Sequence, residues 1–479
     1  YHLRFRYVAQ DFGDKSYSKF HGYRELTSFF SWLDYCDTLM KECHPTIAAH
    51  LSRTFRQNFL EGAAESGLTD LHHAVLVTAI LAKCLKVIDS PDLINEFSNW
   101  LVGEGEVSEW PLLLALVNNC LTDNHDLTLE TLRFFETIIE KGTEHSIDRV
   151  VLSRVASRGY CADTAPPRDD DERDRLNDLS IGREREYNRE AMKQLQHEDH
   201  VNEQITDILA HEGLEPGLRP GDDNIHRVIN SFLLLLPRAI LSDPVGADYE
   251  HYIHDAHRRY QYWLDATSTF NWPADYNGVD TTASSTHSYD SRPEADIHLD
   301  EAFEPIKLEP KDPKDPKQFS QRLVLRSRDL TSQSSQTEEE FDEGPFFRMI
   351  FKLLANMPSQ PYQVNLHLTS IISQLALLPH PNLHEYLLNP TLPTAKKTPT
   401  LFKSLQEVAR RLTMEIPRLR NFKKIIENTR LWLMSEDPSY DESADHNQLV
   451  ESLIVLEEFC KELAAIAFVK YQHTLHMQR

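Results

Sequence analysis

A chain of 479 residues with 50 Lys and Arg against 75 Asp and Glu carries a formal charge of -25. That sign repels phosphate backbones and anionic headgroups, which disfavours direct nucleic-acid binding and fits basic protein partners or plain solubility. Six scattered cysteines without a CxxC read as reduced, cytosolic thiols, and 15 Gly suit helices better than sheets with their turn glycines.

The chain opens Tyr1-His2-Leu3-Arg4. With neither an initiator Met nor a basic and then apolar signal segment, it reads as a fragment of a longer product. From Tyr23 to about Ser157, apolar residues recur at helical spacing between short breakers. Examples are Leu26-Phe29-Phe30-Leu33, Ile47-Leu51-Phe55-Phe59, the run Leu71 to Ile88, segments opened by Pro91 and Pro111, and Leu127 to Ile139. The run 71–88 contains His72, His73, Lys83 and Lys86, which favours a fully buried helix over a membrane span. Residues 1–161 therefore read as an all-α, HEAT- or armadillo-like helical solenoid on periodicity alone, with no tetratricopeptide or ankyrin motif.

Residues 162–180 are too polar to offset their ordering entropy and are expected to form a flexible charged loop. Helical pattern resumes over 181–269, in Arg183 to His211, in Asn224 to Leu241 with a stop or kink at Pro237, and in Val245 to Ala266. The aromatics of the last, Tyr249, Tyr252, Tyr260 and Trp263, are expected to pack on the solenoid. Residues 270–343, with Lys311-Asp-Pro-Lys-Asp-Pro-Lys317 and Thr337-Glu-Glu-Glu340, form a disordered linker or a surface excursion. Residues 344–479 are helical again, in Pro345–Met357, Tyr362–Leu378, Pro381–Leu388, Leu401–Leu412, Asn421–Leu433 and Leu449–Tyr471.

Phosphate-binding, nucleophile-elbow and zincin motifs are missing from the sequence, so no catalytic residue and no cofactor is assigned. His251, His254 and His257, and likewise His197 and His200, have an i,i+3 spacing that could place two metal ligands on one helix face. Chance spacing among 23 His explains them as well, and no metal site is assigned. Cys43-His44 is only a neighbouring pair, and the alternating charges from Arg183 to Glu190 read as a solvated helix face or a docking face for a coiled coil.

The segment Gly344-Pro345-Phe346-Phe347 to Met357, continuing through Tyr362, Val364, Asn365, Leu368 and Gln374-Leu375-Ala376 to Leu387-Leu388-Asn389, resembles the C-terminal region of the FTS and HOOK-interacting (FHIP) family. The closing run Glu458-Phe459 to Leu463-Ala464-Ala465-Ile466 resembles that family's last helix. Ser28-Phe29 to Cys36, His44-Pro45, Phe59-Leu60 and Leu236-Pro237-Arg238 are similar as well. Membership would imply a non-catalytic scaffold bound to a HOOK coiled-coil adaptor, to FTS (an inactive ubiquitin-conjugating-enzyme variant) and to a Rab GTPase. It would act in the cytoplasm, peripherally on early endosomes or other vesicles and without membrane insertion, and would lead through HOOK to dynein and dynactin. The resemblance supplies no partner-binding residues, and a packed helix junction accounts for Asn356, Met357, Tyr362 and Asn365. From the residues alone, a helical-repeat scaffold of other purpose, such as nuclear transport, and an unrecognised hydrolase remain open.

Overall fold

A computed structural model describes residues 22–70, 72–103, 111–161, 223–236, 249–273, 341–395, 397–434 and 447–477. The expected loop at 162–180, the helix at 183–211 with its alternating charges, and most of the linker at 270–343 lie outside these residues. Among the described residues every regular element is a helix, and Cys161 pairs with Thr394 in an isolated bridge. The fold is an all-α solenoid.

The first half comprises α1 (Tyr23–Glu42), α2 (Pro45–Phe55), a π-helical run Arg56–Ala64, α3 (Glu65–Thr69), α4 (Ala74–Val87), α5 (Pro91–Val102), α6 (Pro111–Cys120) and α7 (His125–Glu140). It ends in α8 (Glu144–Ile147), a second π-helical run Asp148–Leu152 and α9 (Ser153–Val155). Then come α10 (Asp223–Leu233) and α11 (Tyr249–Ala266). The last part holds α12 (Gly344–Ala355), α13 (Tyr362–Leu377), α14 (Pro381–Leu388), α15 (Leu401–Glu415), α16 (Phe422–Met434) and α17 (Gln448–Met477).

Local chemistry explains the boundaries. Proline opens α2, α5, α6 and α14, where its missing N–H would have had no helical partner. Asn124 caps α7 by accepting from the amides of Asp126 and Leu127, and Thr400 caps α15 by accepting from Lys403. Two expectations need correction. The run 71–88 becomes helical only at Ala74, because Asp70 holds the amide of His72 and the ring of His73 in a turn. Nor is α4 fully buried, since Leu76 and Lys86 face solvent. The helix ahead of Pro237 ends at Leu233, followed by a turn, because a proline disfavours helical backbone just before it.

The helices pack in two rows. One runs α4, α7, α13, α17, and the other runs α2, α5, α6, α12, α15. The first half thus meets the last part directly, α7 on α13 and α6 on α12, while α10 and α11 pack on α17. Tyr249, Ile253, Tyr260 and Trp263 are the buried face of α11. Beyond α11 the chain returns to the first half, where Trp272 donates to Asp148 Oδ1 at 2.9 Å and packs edge-on against His380. Residues 156–161 are tied to α14. The Tyr160 hydroxyl lies 2.8 Å from Glu385 Oε2, Arg158 makes two contacts with the same carboxylate, and Asn382 donates to the Ala156 carbonyl.

One unit occurs twice. Both α4 and α13 end in an extended residue, Ile88 and Leu378, and a proline opens the next helix three positions later. Pro91-Asp92-Leu93 then matches Pro381-Asn382-Leu383, with both leucines wholly buried. In each unit a lysine from the next helix of the row reaches the same two carbonyls. Lys141 Nζ donates to Lys86 O and Ile88 O at 2.8 and 2.5 Å, and Lys470 Nζ to Ala376 O and Leu378 O at 2.9 and 2.7 Å. A cation there satisfies orphan carbonyls and opposes the negative end of the helix dipole.

Phe135 lies at the meeting of the two halves, wholly buried, with its ring 5.3 Å from that of Phe346. Truncation to Ala removes a large side chain from a site held on both sides, at a cost of about 3–5 kcal/mol. We expect Phe135→Ala to lower the urea midpoint. In hydrogen exchange the amides of α4 and α13 should lose protection together, whereas loss confined to one half would contradict a shared core.

Candidate interaction surface and the polar seams behind it

Polar pairs lie at two seams of the first row, between α7 and α13 and along α17. Between α7 and α13, His367 Nδ1 lies 2.5 Å from Glu136 Oε2, and Arg133 Nε donates to His367 Nε2 at 3.3 Å. Ser370 Oγ donates to the other oxygen of Glu136. Burial pushes the His367 imidazole down to about 3, so the ring is neutral, with its proton on Nδ1 toward Glu136 and its lone pair toward Arg133.

The second seam follows α17. Its stretch Lys461-Glu462-Leu463-Ala464-Ala465 has the last three residues wholly buried, and the two alanines let neighbouring helices come close. The charged residues beside them all have partners. Arg430 of α16 pairs with Glu457, Arg259 of α11 pairs with Glu462, and the Tyr252 hydroxyl donates to Glu458. Lys461 Nζ lies 3.1 Å from both Glu457 and Glu458. Burial pulls the Lys461 ammonium down, but Glu458 and Glu457 outweigh it and hold it above its ordinary value. Further along, burial draws Lys470 down to about 7, and burial with the charge of Lys470 takes His380 to about 4. These groups orient helices, since removing one partner would strand a buried charge.

The residues singled out in the sequence fall elsewhere. His251, His254 and His257 lie exposed on the outer side of α11, and among the described residues no group of three or more His, Cys, Asp or Glu could hold a metal ion. His197 and His200 lie outside the described residues. His44 caps α2 by accepting from the Thr46 amide, and the Cys43 thiol faces the Met40 carbonyl, so the pair has a local structural role. Cys36, Cys43, Cys84, Cys120, Cys161 and Cys460 are all free thiols. Asn365 is wholly buried. It donates to Met357 O at 2.9 Å and Ser452 Oγ at 3.3 Å and accepts from Gln360, tying the α12–α13 turn to α17. Met357 is buried in this junction, Tyr362 is half-buried, and Asn356 ends α12 at the surface.

Exposed large apolar side chains gather on α1. Trp32, Tyr35 and Leu39 are 52%, 64% and 37% exposed, and their i, i+3, i+7 spacing puts them on one side of the helix. Elsewhere among the described residues such side chains occur one to a helix, as Ile47, Leu76, Tyr262, Met414 and Leu431. A stripe of this kind can bind the apolar face of another helix. Periodicity alone did not find it, because the buried face of α1, with Leu33 and Met40, shows the same spacing.

The neutral histidines give folding a pH dependence of definite sign. An unfolded histidine titrates near 6.5, whereas His367 and His380 stay neutral in the fold down to about 3 and about 4. Below 6.5 the unfolded chain binds protons that the folded chain refuses, so stability present above 6.5 falls by about 1.4 kcal/mol per pH unit for each such group. The urea midpoint should drop between pH 6.5 and 5, and His367→Gln should flatten that slope. An unchanged slope in the variant would place His367 in a solvated, chargeable state.

Residues 6–155 match a family model described as retinoic acid induced 16-like protein, residues 343–436 match a family of unknown function (DUF5917), and residues 444–475 match a KELAA motif. An FHIP family protein of Nematostella vectensis is 21% identical over 426 residues, which is 85% of this chain and 47% of that protein. FHIP family proteins of Culex quinquefasciatus and Anopheles gambiae are 35% and 34% identical over 94 residues, 20% of this chain and 9% of each relative. The chain thus spans about half, or less, of the length of these curated relatives. Agreement with one FHIP protein along 85% of the chain, and matches at both of its ends, make the chain similar to the FHIP family along most of its length.

Proposed function

We propose that the chain is a non-catalytic scaffold subunit of the FTS/HOOK/FHIP complex, which links Rab-marked endosomal membranes to a HOOK adaptor and through it to dynein and dynactin. The observation that carries this reading is the single core running from α4 through α7 and α13 to α17, in a chain similar to FHIP proteins along most of its length. A continuous core holds surfaces far apart on the solenoid at a constant separation, which is what a linker between a membrane-bound GTPase and a motor adaptor requires. The curated relatives carry names that denote no enzyme activity. Attachment to vesicles through a Rab accords with the described helices, none of which is long and apolar enough to cross a membrane.

The test is reconstitution. Purified full-length protein should capture a HOOK C-terminal segment and FTS on beads, and an endosomal Rab in its GTP form. Trp32→Asp with Tyr35→Asp should weaken at least one of these captures about fivefold or more, because a charge in an apolar contact must be desolvated. No capture of HOOK, FTS or Rab by a well-folded protein would sink the reading.

A further inference from the structure

The net charge of -25 hides one strongly basic surface. Between Lys403 and Lys424 stand seven Lys and Arg (403, 410, 411, 418, 420, 423, 424) against two Glu (407, 415), a local charge of +5. Arg410 pairs with Glu407 and Arg411 with Glu415, 2.5 and 3.0 Å apart. Lys403 donates to Thr394 Oγ1 at 2.9 Å, and the remaining four cations follow where α15 passes through a 3-10 turn, Ile416–Arg418, into α16, a stretch with no acidic residue between Glu415 and Glu427. Arg418, Arg420, Lys423 and Lys424 are all exposed. Asn421, in the left-handed region at φ 58°, makes the turn, and a shallow, open concavity is lined by Asn421, Phe422, Lys423 and Lys424.

Apolar groups flank the cations. Met414, at the end of α15, is 45% exposed, and Leu431, on α16, is 68% exposed. Leu431 lies seven residues beyond Lys424, on the same side of α16 and about 10 Å along it. Cations with an apolar residue about two turns away match a helix that carries acidic residues and an apolar stripe.

We propose that the Arg418–Leu431 surface docks an acidic amphipathic helix of a partner protein. Charge complementarity names the sign of the partner. The exposed Met414 and Leu431 on either side of the cations name its shape, an amphipathic helix. Outside the +5 segment the chain carries -30, so the segment is the part of the sequence that attracts an anion. A helix about 10–12 Å across covers the patch and little else. A bilayer is a plane of anionic headgroups, which the net charge of the whole chain, -25, repels. Any protein that presents such a helix qualifies, whether or not it belongs to the complex proposed above.

The experiment uses the full chain and a synthetic, stapled helix of roughly 20 residues with Leu on one side and Glu on the other. Binding is read by fluorescence anisotropy at about 50 and about 300 mM salt. We expect saturable binding that weakens with salt. The combined Arg418→Glu, Arg420→Glu, Lys423→Glu and Lys424→Glu variant should lose about tenfold or more in affinity, and the neutral Leu431→Ser should weaken binding without changing the salt slope. Arg24→Glu, on α1, should bind as the parent does. Circular dichroism and the urea midpoint should be unchanged in every variant, since all the replaced side chains are exposed. Three results would each overturn the proposal. One is absence of peptide binding at low salt, a second is equal binding by the charge-reversed variant, and a third is capture by phosphatidylserine-containing vesicles through the same four residues with no peptide binding.

Discussion

Everything in this solenoid depends on the contact of α7 with α13. The residues that meet there are distant in sequence: Glu136 and His367 are 231 positions apart. Closing a loop of that length costs about 5 kcal/mol in chain entropy before any contact is made. Burial of Phe135, Phe346, Leu368 and Ile372 more than offsets this, at about 1.5–3 kcal/mol for each fully buried side chain. Once α7 and α13 are in place, α4 and α17 have walls to pack on, and the two rows grow outward from the middle.

Apolar burial supplies the attraction at this contact, and polar groups choose the alignment. His367 can satisfy both ring nitrogens only when Arg133 and Glu136 sit one helical turn apart on the opposing helix, as they do. Along α17, the pairs of Glu457, Glu458 and Glu462 with Arg430, Tyr252 and Arg259 assign a neighbour to each side of a helix that is apolar nearly all round. Without them, a 30-residue helix rich in Leu, Val, Ile and Ala would have several packings of similar energy. Lys141 and Lys470 do the same work at helix ends. Each crosses to the carbonyls that end the preceding helix of the row, and so ties successive row members together at that end.

A scaffold needs this division between interior and surface. Buried charges are consumed in pairing, which leaves recognition to exposed side chains that contribute little to folding. The α1 stripe and the basic turn before α16 belong to that second class, and they lie on different helices of one shared core. Two contacts made on such a body would act at a separation the core maintains.

By itself the sequence determined the elements. Apolar residues at helical spacing, prolines at positions 91, 111 and 381 and breakers between them marked nearly every helix now described, because helix formation is local chemistry. The resemblance to FHIP proteins was legible too, in the blocks around Gly344–Asn389 and Lys461–Ala465. The repeated Pro-x-Leu step at 91 and 381 was present but short, and only the shared placement of Lys141 and Lys470 showed that it marks one unit used twice. Tertiary structure alone decided which helices are neighbours. Nothing local records that α7 meets α13 or that α10 and α11 pack on α17, since those pairings depend on which apolar faces are complementary across more than 200 residues. It also decided which apolar and charged side chains stay outside, because a stripe at helical spacing reads alike whether it faces a core or water, and a run of cations does not show which of them find a partner.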